Sequence, residues 1–293
     1  MTLSRVCTDV LDIAYFETGP EHRQAALFLH GWPDDATTWE GVAQRLAASG
    51  IRCIVPWLRG CGETRFLSPD TIRDGRTEAL AQDALDLMDR LGIYHFVAIG
   101  HDWGARTVYG LAAVAPERIT NAATLSLGYS PRGEFQVPPF AQARAWWYQW
   151  FMCSDAGAEF VRRHPTAFAR MQWDSWSPGG WFDEPAFERV ARSVNNPDWT
   201  AITLNSYRSR WGEEPHDARY AGIAARIAAT THLQVPTLLI HGSEDGAVLA
   251  SSSEGRERHF TNGYRRVVLD GVGHFVAREA PETVAALLIE HLG

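Results

Sequence analysis

Along the first 130 residues, short apolar runs alternate with longer stretches whose apolar positions repeat at helical spacing. That is the pattern of a parallel sheet flanked by helices. Residues 25–29, 51–55, 96–99 and 122–127 read as strands. Between the second and third, residues 77–91 place Leu80, Ala84, Leu85, Leu87, Met88 and Leu91 on one face of a helix, with Gly92 as its C-cap. A second helix is expected over 105–115. The alternation stops near Gly128 and resumes at 237–240.

The stretch between is different in kind. It holds eight of the twelve tryptophans (Trp146, Trp147, Trp150, Trp173, Trp176, Trp181, Trp199 and Trp211) and reads as helices joined by loops. Asn196-Pro197-Asp198 has the form of a helix start, with Asn as N-cap and Pro at the first helical position. A helical insertion between two strands of one sheet sits over the strands' C-terminal edge, where such sheets bind ligands. The reading is therefore a core over 1–132, a helical lid over 133–232, and a second core segment over 233–293 that carries strands at 237–240 and 265–269 and a closing helix at 281–292.

Composition narrows the function. At 293 residues there is room for one large α/β domain with an insertion. The net charge of −8 argues against nucleic acid as a partner. The chain has no lysine, so all 27 basic residues are arginine; Schiff-base chemistry and pyridoxal-phosphate attachment are excluded, since both need an amine nucleophile. Cys7, Cys53, Cys61 and Cys153 lack CxxC spacing, which suggests neither a zinc site nor a disulfide framework. No metal or organic cofactor is expected. Met1-Thr2-Leu3-Ser4-Arg5 leads into no apolar segment of signal-peptide type, and no apolar run approaches the ~18 residues of a membrane span. The expectation is a cytoplasmic protein without membrane association; a homodimer is the one protein partnership left open.

The sharpest local signal is Gly100-His101-Asp102-Trp103-Gly104, between an apolar strand and a helix. This is the strand-turn-helix context of a nucleophile elbow, which holds its central side chain out at the top of the sheet. The flanking glycines suit a strained turn and close approach of helix and strand. Here the central residue is an aspartate, where an N-cap of the following helix is the bland alternative. A carboxylate nucleophile displaces at saturated carbon, opening an epoxide or expelling halide to leave an alkyl-enzyme ester. Water then attacks the ester carbonyl, which calls for a general base and an oxyanion hole. The base should be a late histidine, and Gly273-His274-Phe275 supplies it in the loop after the last strand. The acid that orients it should end the preceding strand, where Glu244 and Asp245 both stand. The loop His30-Gly31-Trp32-Pro33 follows the strand at 25–29, so the backbone N–H groups of Trp32 and Trp103 are the expected oxyanion donors. His30, His101 and His241 read as locally hydrogen-bonded.

Taken together, HGWP at 30–33, RGCGET at 59–64, GHDWG at 100–104 and the late GHF around His274 resemble the epoxide hydrolase branch of the α/β-hydrolase superfamily across almost the whole chain. The resemblance implies an α/β-hydrolase fold: a mostly parallel eight-stranded sheet flanked by helices, with the lid between strands six and seven. It selects Asp245 over Glu244 as the orienting acid. It also implies that two lid tyrosines protonate the epoxide oxygen, and the flanks of Tyr148 and Tyr207 match theirs. The pocket is then expected to be lined by Trp32, Trp103, Trp147 and Trp150, and the substrate to be a small apolar or aromatic epoxide opened to a vicinal diol with water. A haloalkane or haloacid dehalogenase with the same triad is the alternative, with a non-catalytic ligand-binding member of the fold ranked last. Trp32 stands where haloalkane dehalogenases often have Asn, while Trp103 keeps the other half of their halide site. Fluoroacetate dehalogenases place Arg after the nucleophile and a His-Trp pair near the position of Tyr148-Gln149, and neither is present. Arg106, one helical turn past the elbow, could touch a carboxylate substrate, although an ion-paired structural arginine is the plainer expectation. In one departure, Trp57 stands where the family commonly has Asp before its RGxG, which puts the shape of the entrance in question.

Overall fold

A computed structural model describes residues 1–132 and 137–293. Nine strands form one sheet: β1 (Thr2–Cys7), β2 (Leu11–Thr18), β3 (Ala25–Leu29), β4 (Arg52–Pro56), the two-residue β5 (Arg65–Phe66), β6 (Phe96–His101), β7 (Ile119–Leu125), β8 (Thr237–Gly242) and β9 (Tyr264–Leu269). Their order is β1-β2-β4-β3-β6-β7-β8-β9, with β5 attached to β2. Every pairing from β4 to β9 is parallel, and only the contacts of β2 are antiparallel. Apart from β5, the sheet thus has the eight strands the resemblance implies.

The parallel strands β3, β6 and β8 are buried on both faces, which is why they read as continuous apolar runs. Alternate side chains feed two cores. Leu27, Leu29 and Ala98 belong to one core with Leu80, Leu87, Val108 and Leu111; these come from the helices α2 (Thr77–Arg90) and α3 (Trp103–Val114), which follow α1 (Glu40–Ala48) in the chain. Phe28, Val97, Ile99 and Ile240 join Trp39, Val42, Leu46 and Leu288 in the other.

The described residues between β7 and β8 carry seven α-helices and no strand: α4 (Phe140–Ala145), α5 (Trp147–Cys153), α6 (Asp155–Arg163), α7 (Pro165–Ser175), α8 (Glu184–Val194), α9 (Trp199–Arg208) and α10 (Ala221–Ala229). The expected lid boundary at 133 lies outside the described residues. Two further helices, α11 (Val276–Glu279) and α12 (Pro281–Leu292), close the chain.

The insertion is seated on loops at the C-terminal edge of the sheet by polar contacts. The Trp173 indole donates to the Pro33 carbonyl at 2.9 Å, Ser193 to Asp35 at 2.5 Å, and the Asn196 amide to the Gly62 and Thr64 carbonyls. Asn196 also accepts from the Asp198 N–H at 2.9 Å, a local turn. α9 opens at Trp199 with Asp198 as its N-cap, so the helix starts later than the expected Asn196 cap and Pro197 lies before it.

Two further details differ from the sequence reading. β7 spans 119–125 rather than 122–127, because Ser126 turns the backbone to φ 62° and ends the strand. α3 begins at Trp103, two residues early, directly on the elbow. Trp57, at the position where the family commonly has Asp, is buried in the second core. Its ring is buried 4.6 Å from that of Phe16 and packs on Gly62, where a Cβ would come within 2.1 Å of the indole. Gly92 takes φ +68° just past α2, as a C-cap glycine does.

Candidate active site

β3 and β6 are adjacent, Leu29 pairing with Gly100, while β3 leads into a loop on one side and β6 into α3 on the other. Such a point at the C-terminal edge of a parallel sheet is where open α/β folds bind ligands. Asp102 sits there between β6 and α3 with φ 48° and ψ −107°, a strained conformation for a residue with a side chain. The turn is possible only because its neighbours lack Cβ atoms. A Cβ on Gly100 would stand 2.2 Å from the Gly104 carbonyl oxygen, and one on Gly104 2.0 Å from that of Leu29. Asp102 makes no side-chain cap to α3. Its Oδ1 instead accepts the Trp32 backbone N–H at 3.0 Å, which removes the N-cap alternative. The Trp103 N–H, first of α3, has no carbonyl of its own helix to reach. Of the two expected oxyanion donors, the Trp32 N–H stands at the carboxylate, and the Trp103 N–H is the adjacent one in the chain.

His274 is fully buried and its loop is clamped. Its N–H donates to the Trp176 carbonyl and the Ser177 hydroxyl, while its carbonyl accepts from His101 Nε2 at 2.8 Å and Ser126 Oγ at 2.7 Å. Its Nδ1 lies 2.9 and 3.0 Å from the two oxygens of Asp245, and its Nε2 has no partner. Asp245 also accepts the N–H groups of Ala247 and Val248 and faces His241 Nε2 at 3.3 Å. Burial works against the charge on Asp245, but His274 and His241 beside it hold its pKa well below the usual carboxylate range. Burial likewise opposes protonation of His274, and Asp245 with Asp102 more than offsets this, so its pKa is raised. The Asp245 carboxylate fixes the proton on Nδ1 and leaves Nε2 as the free base. Glu244, the alternative acid, is exposed, and His291 lies at the far end of the sheet against the Ala122 carbonyl. His30 is engaged by Gly31 and Leu58, and burial beside His274 pushes His101 down to about 4.

From the insertion, α5 contributes Tyr148 and α9 contributes Tyr207, both buried. Their rings meet edge to face at 5.4 Å and both pack on Trp32, at 5.8 and 4.9 Å. Tyr207 OH accepts the Trp103 indole N–H at 3.2 Å, and Tyr148 OH accepts from Gln149 at 3.1 Å. Burial, together with the charge of Asp102, pushes Tyr148 up to about 12; Tyr207 is raised well above its ordinary value by burial and by Tyr148. Both phenols keep their protons at neutral pH.

The structure brings Trp32 and Trp103 to Asp102, their rings stacked at 6.4 Å. Trp147 and Trp150 are not brought there, which corrects the pocket expectation. On α5, Tyr148 and Met152 share the inward face, so Trp147 and Trp150 fall on the outer one, 39% and 40% exposed. Trp150 donates to the Ala143 carbonyl and packs against Trp211 at 4.1 Å. The rings that enclose the site instead are Trp176, 4.9 Å from both Tyr148 and His274, with Trp199 and Phe168 against Trp32. The inward i, i+4 spacing of Phe168 and Gln172, with Trp173 and Trp176 one turn apart, was the available signal for α7 as a wall. Arg106, expected in an ion pair, makes none among the described residues, and its Nε is buried without a partner. No group of three or more His, Cys, Asp and Glu among the described residues is arranged to hold a metal ion, the four cysteines are free, and no described helix is long and apolar enough to cross a membrane.

The alpha/beta hydrolase fold family model matches residues 26–281. The chain is 32% identical to epoxide hydrolase 2 of Siraitia grosvenorii over an alignment of 309 positions covering 96% of this chain and 94% of that one. It is 27% identical to epoxide hydrolase A of Mycobacterium tuberculosis, with 98% and 96% covered. A crystal structure from Klebsiella pneumoniae subsp. pneumoniae MGH 78578 superposes with a TM-score of 0.92 at 38% identity, covering 99% of this chain and 96% of that one. A strand-turn-helix carrying Asp102, a late histidine on a buried acid, and two tyrosines over the nucleophile thus occur on a scaffold shared with these relatives: the chain belongs to the α/β-hydrolase superfamily, on its epoxide hydrolase-like branch.

Proposed function

We propose that the protein opens an epoxide to a vicinal diol through a covalent ester on Asp102. The observation that carries this reading is the pair of buried, protonated phenols, Tyr148 and Tyr207, held over the Asp102 carboxylate by the helical insertion, which acts as the lid. An alkoxide is a poor leaving group and needs an acid; a halide needs none.

In the first step an Asp102 oxygen attacks one oxirane carbon. A carbon–oxygen ester bond forms, the ring carbon–oxygen bond breaks, and the released oxygen takes a proton from a tyrosine hydroxyl. In the second step His274 Nε2 removes a proton from water, and the hydroxide adds to the ester carbonyl carbon. The developing oxyanion sits between the N–H groups of Trp32 and Trp103. Collapse expels the diol oxygen, which recovers a proton from the imidazolium. Asp102 is left as a carboxylic acid, and the proton it sheds to return to carboxylate restores, by way of water, the one the tyrosine gave up. Asp245 keeps the imidazole in the required tautomer and stabilises its cation.

Halide release finds less support at this site. The Trp103 indole N–H is directed to Tyr207 and that of Trp32 to Thr203 at 2.9 Å, so neither is free to hold a halide.

A single turnover in water enriched in heavy oxygen tests the covalent route. The label should enter the Asp102 carboxylate while the first diol released carries unlabelled carboxylate oxygen. Label in that diol would mean direct attack of water on the epoxide.

A further inference from the structure

A cavity of about 410 Å³ is walled by α3, the helix that starts at the Asp102 turn, and by the end of α9, the helix that carries Tyr207. Four arginines line it, Arg76, Arg106, Arg132 and Arg210, with Leu127 and Ile227 among its apolar walls. Two of the four are neutralised by the protein, Arg76 by Asp74 at 2.8 Å and Arg132 by Glu78. The other two have no carboxylate partner among the described residues. Arg106 leaves its Nε buried and unbonded, and Arg210 lies over the Tyr207 ring at 4.3 Å. Burial and the proximity of Arg210 lower Arg106 to about 10, so it stays charged at neutral pH. Arg106 is half-buried and lines the cavity, and a guanidinium held there with no carboxylate partner among the described residues is suited to receive an anion.

We propose that this cavity holds the carboxylate of the substrate, so that the epoxide opened at Asp102 belongs to an epoxy acid whose carboxylate is gripped by Arg106 and Arg210. This rests on the epoxide reading above. Arg106 follows Asp102 by about one turn of α3 and feels its charge, which sets the cavity next to the nucleophile's own helix. The apolar walls suit a methylene chain, and the guanidinium fork matches a two-oxygen anion. In the ester intermediate Asp102 has lost its charge, and the substrate carboxylate is then the anion that Arg106 faces.

Two measurements separate this inference from the reading it rests on. The first needs no chemistry: hexanoate and hexanamide are titrated into the whole protein by calorimetry. Hexanoate should bind roughly ten- to hundredfold more tightly, and Arg106→Gln and Arg210→Gln should each remove most of that difference, with Arg106→Lys restoring part of it. The second compares the terminal epoxide of hexenoic acid with its methyl ester. The acid should be preferred by a similar factor in kcat/KM, mostly through KM, and the acid-to-ester ratio should fall toward one in both Gln variants. Equal binding of hexanoate and hexanamide, or a wild-type ratio of one or below, overturns the inference while diol formation from styrene oxide leaves the epoxide reading standing. Arginine-dependent hexanoate binding with no diol from any epoxide overturns both the epoxide reading and the identity of the occupant.

Discussion

Replacing Tyr148 and Tyr207 by Phe, singly and together, probes the alkylation step. Both hydroxyls belong to one cluster above Asp102, tied through Trp32 and through the Trp103 indole. Loss of a single donor to a developing oxyanion costs about 10²–10³ in rate. Here a second phenol remains to share the same oxygen, so each single variant should fall toward the lower end, roughly 30- to 300-fold, or about 2–3.4 kcal/mol. The double variant removes general acid catalysis altogether and should lose about 10⁴-fold. The two changes differ in stability. Tyr207→Phe strands the buried Trp103 N–H, a cost of about 1–3 kcal/mol, whereas Tyr148→Phe releases only the Gln149 amide, at about 1 kcal/mol. The assay is single-turnover tryptophan fluorescence with enzyme in excess over styrene oxide, since Trp32, Trp103 and Trp176 ring the nucleophile. A folded double variant that alkylates within tenfold of the wild type would refute the role given to the phenols.

Hydrolysis of the ester intermediate needs neutral His274. Asp245 raises its pKa, while the raising charge of Asp102 is absent in the ester, so the acid limb of ester decay should lie below the His274 pKa of the free enzyme. Asp245→Asn should move that limb further down and cost roughly 10⁴ in rate, read by single-turnover decay of the ester across pH. For stability, the lowered pKa of Asp245 means that its contribution is complete above the ordinary 3.8 and is lost as pH falls through the depressed value, so denaturant titrations should show this loss in wild type and not in Asp245→Asn. Trp150→Ala should leave kcat/KM within about twofold, whereas Trp176→Ala, beside both Tyr148 and His274, should lower it by tenfold or more in steady-state assays. Gly104→Ala forces a Cβ to within 2.0 Å of the Leu29 carbonyl and should destabilise the fold by ~3 kcal/mol or more in denaturant unfolding. An unchanged midpoint would contradict the close-approach argument.

The parts of this molecule that were legible in its sequence are those where one local rule decides the outcome. The strands at 25–29, 96–101 and 237–242 are buried on both faces and so carry unbroken apolar runs. The elbow declares itself because Gly100 and Gly104 have no substitute at their contact distances. β1 and β2 form the antiparallel edge, whose half-exposed pattern carries a weaker signal, and the sequence reading named neither. The insertion between β7 and β8 was legible as helices and not as a surface. Which of its tryptophans face inward depends on how α5 is rotated, and one residue of phase sends Tyr148 in and Trp147 out. Trp176 enters the site from the C-cap position just past α7, set by contacts with His274 that only tertiary structure supplies. The unpaired state of Arg106 was equally hidden, since helical position alone does not show whether a carboxylate comes to meet it.

The central claim is that Asp102 is alkylated by an epoxide. Its most direct test is the intact mass of His274→Gln after separate incubations with styrene oxide, a chloroalkane and fluoroacetate. With the base removed, the ester should form and persist, giving a mass gain of one styrene oxide that maps to Asp102, with no adduct from the two halides. An adduct from a halide alone, or an unmodified protein in all three tubes, would contradict the account.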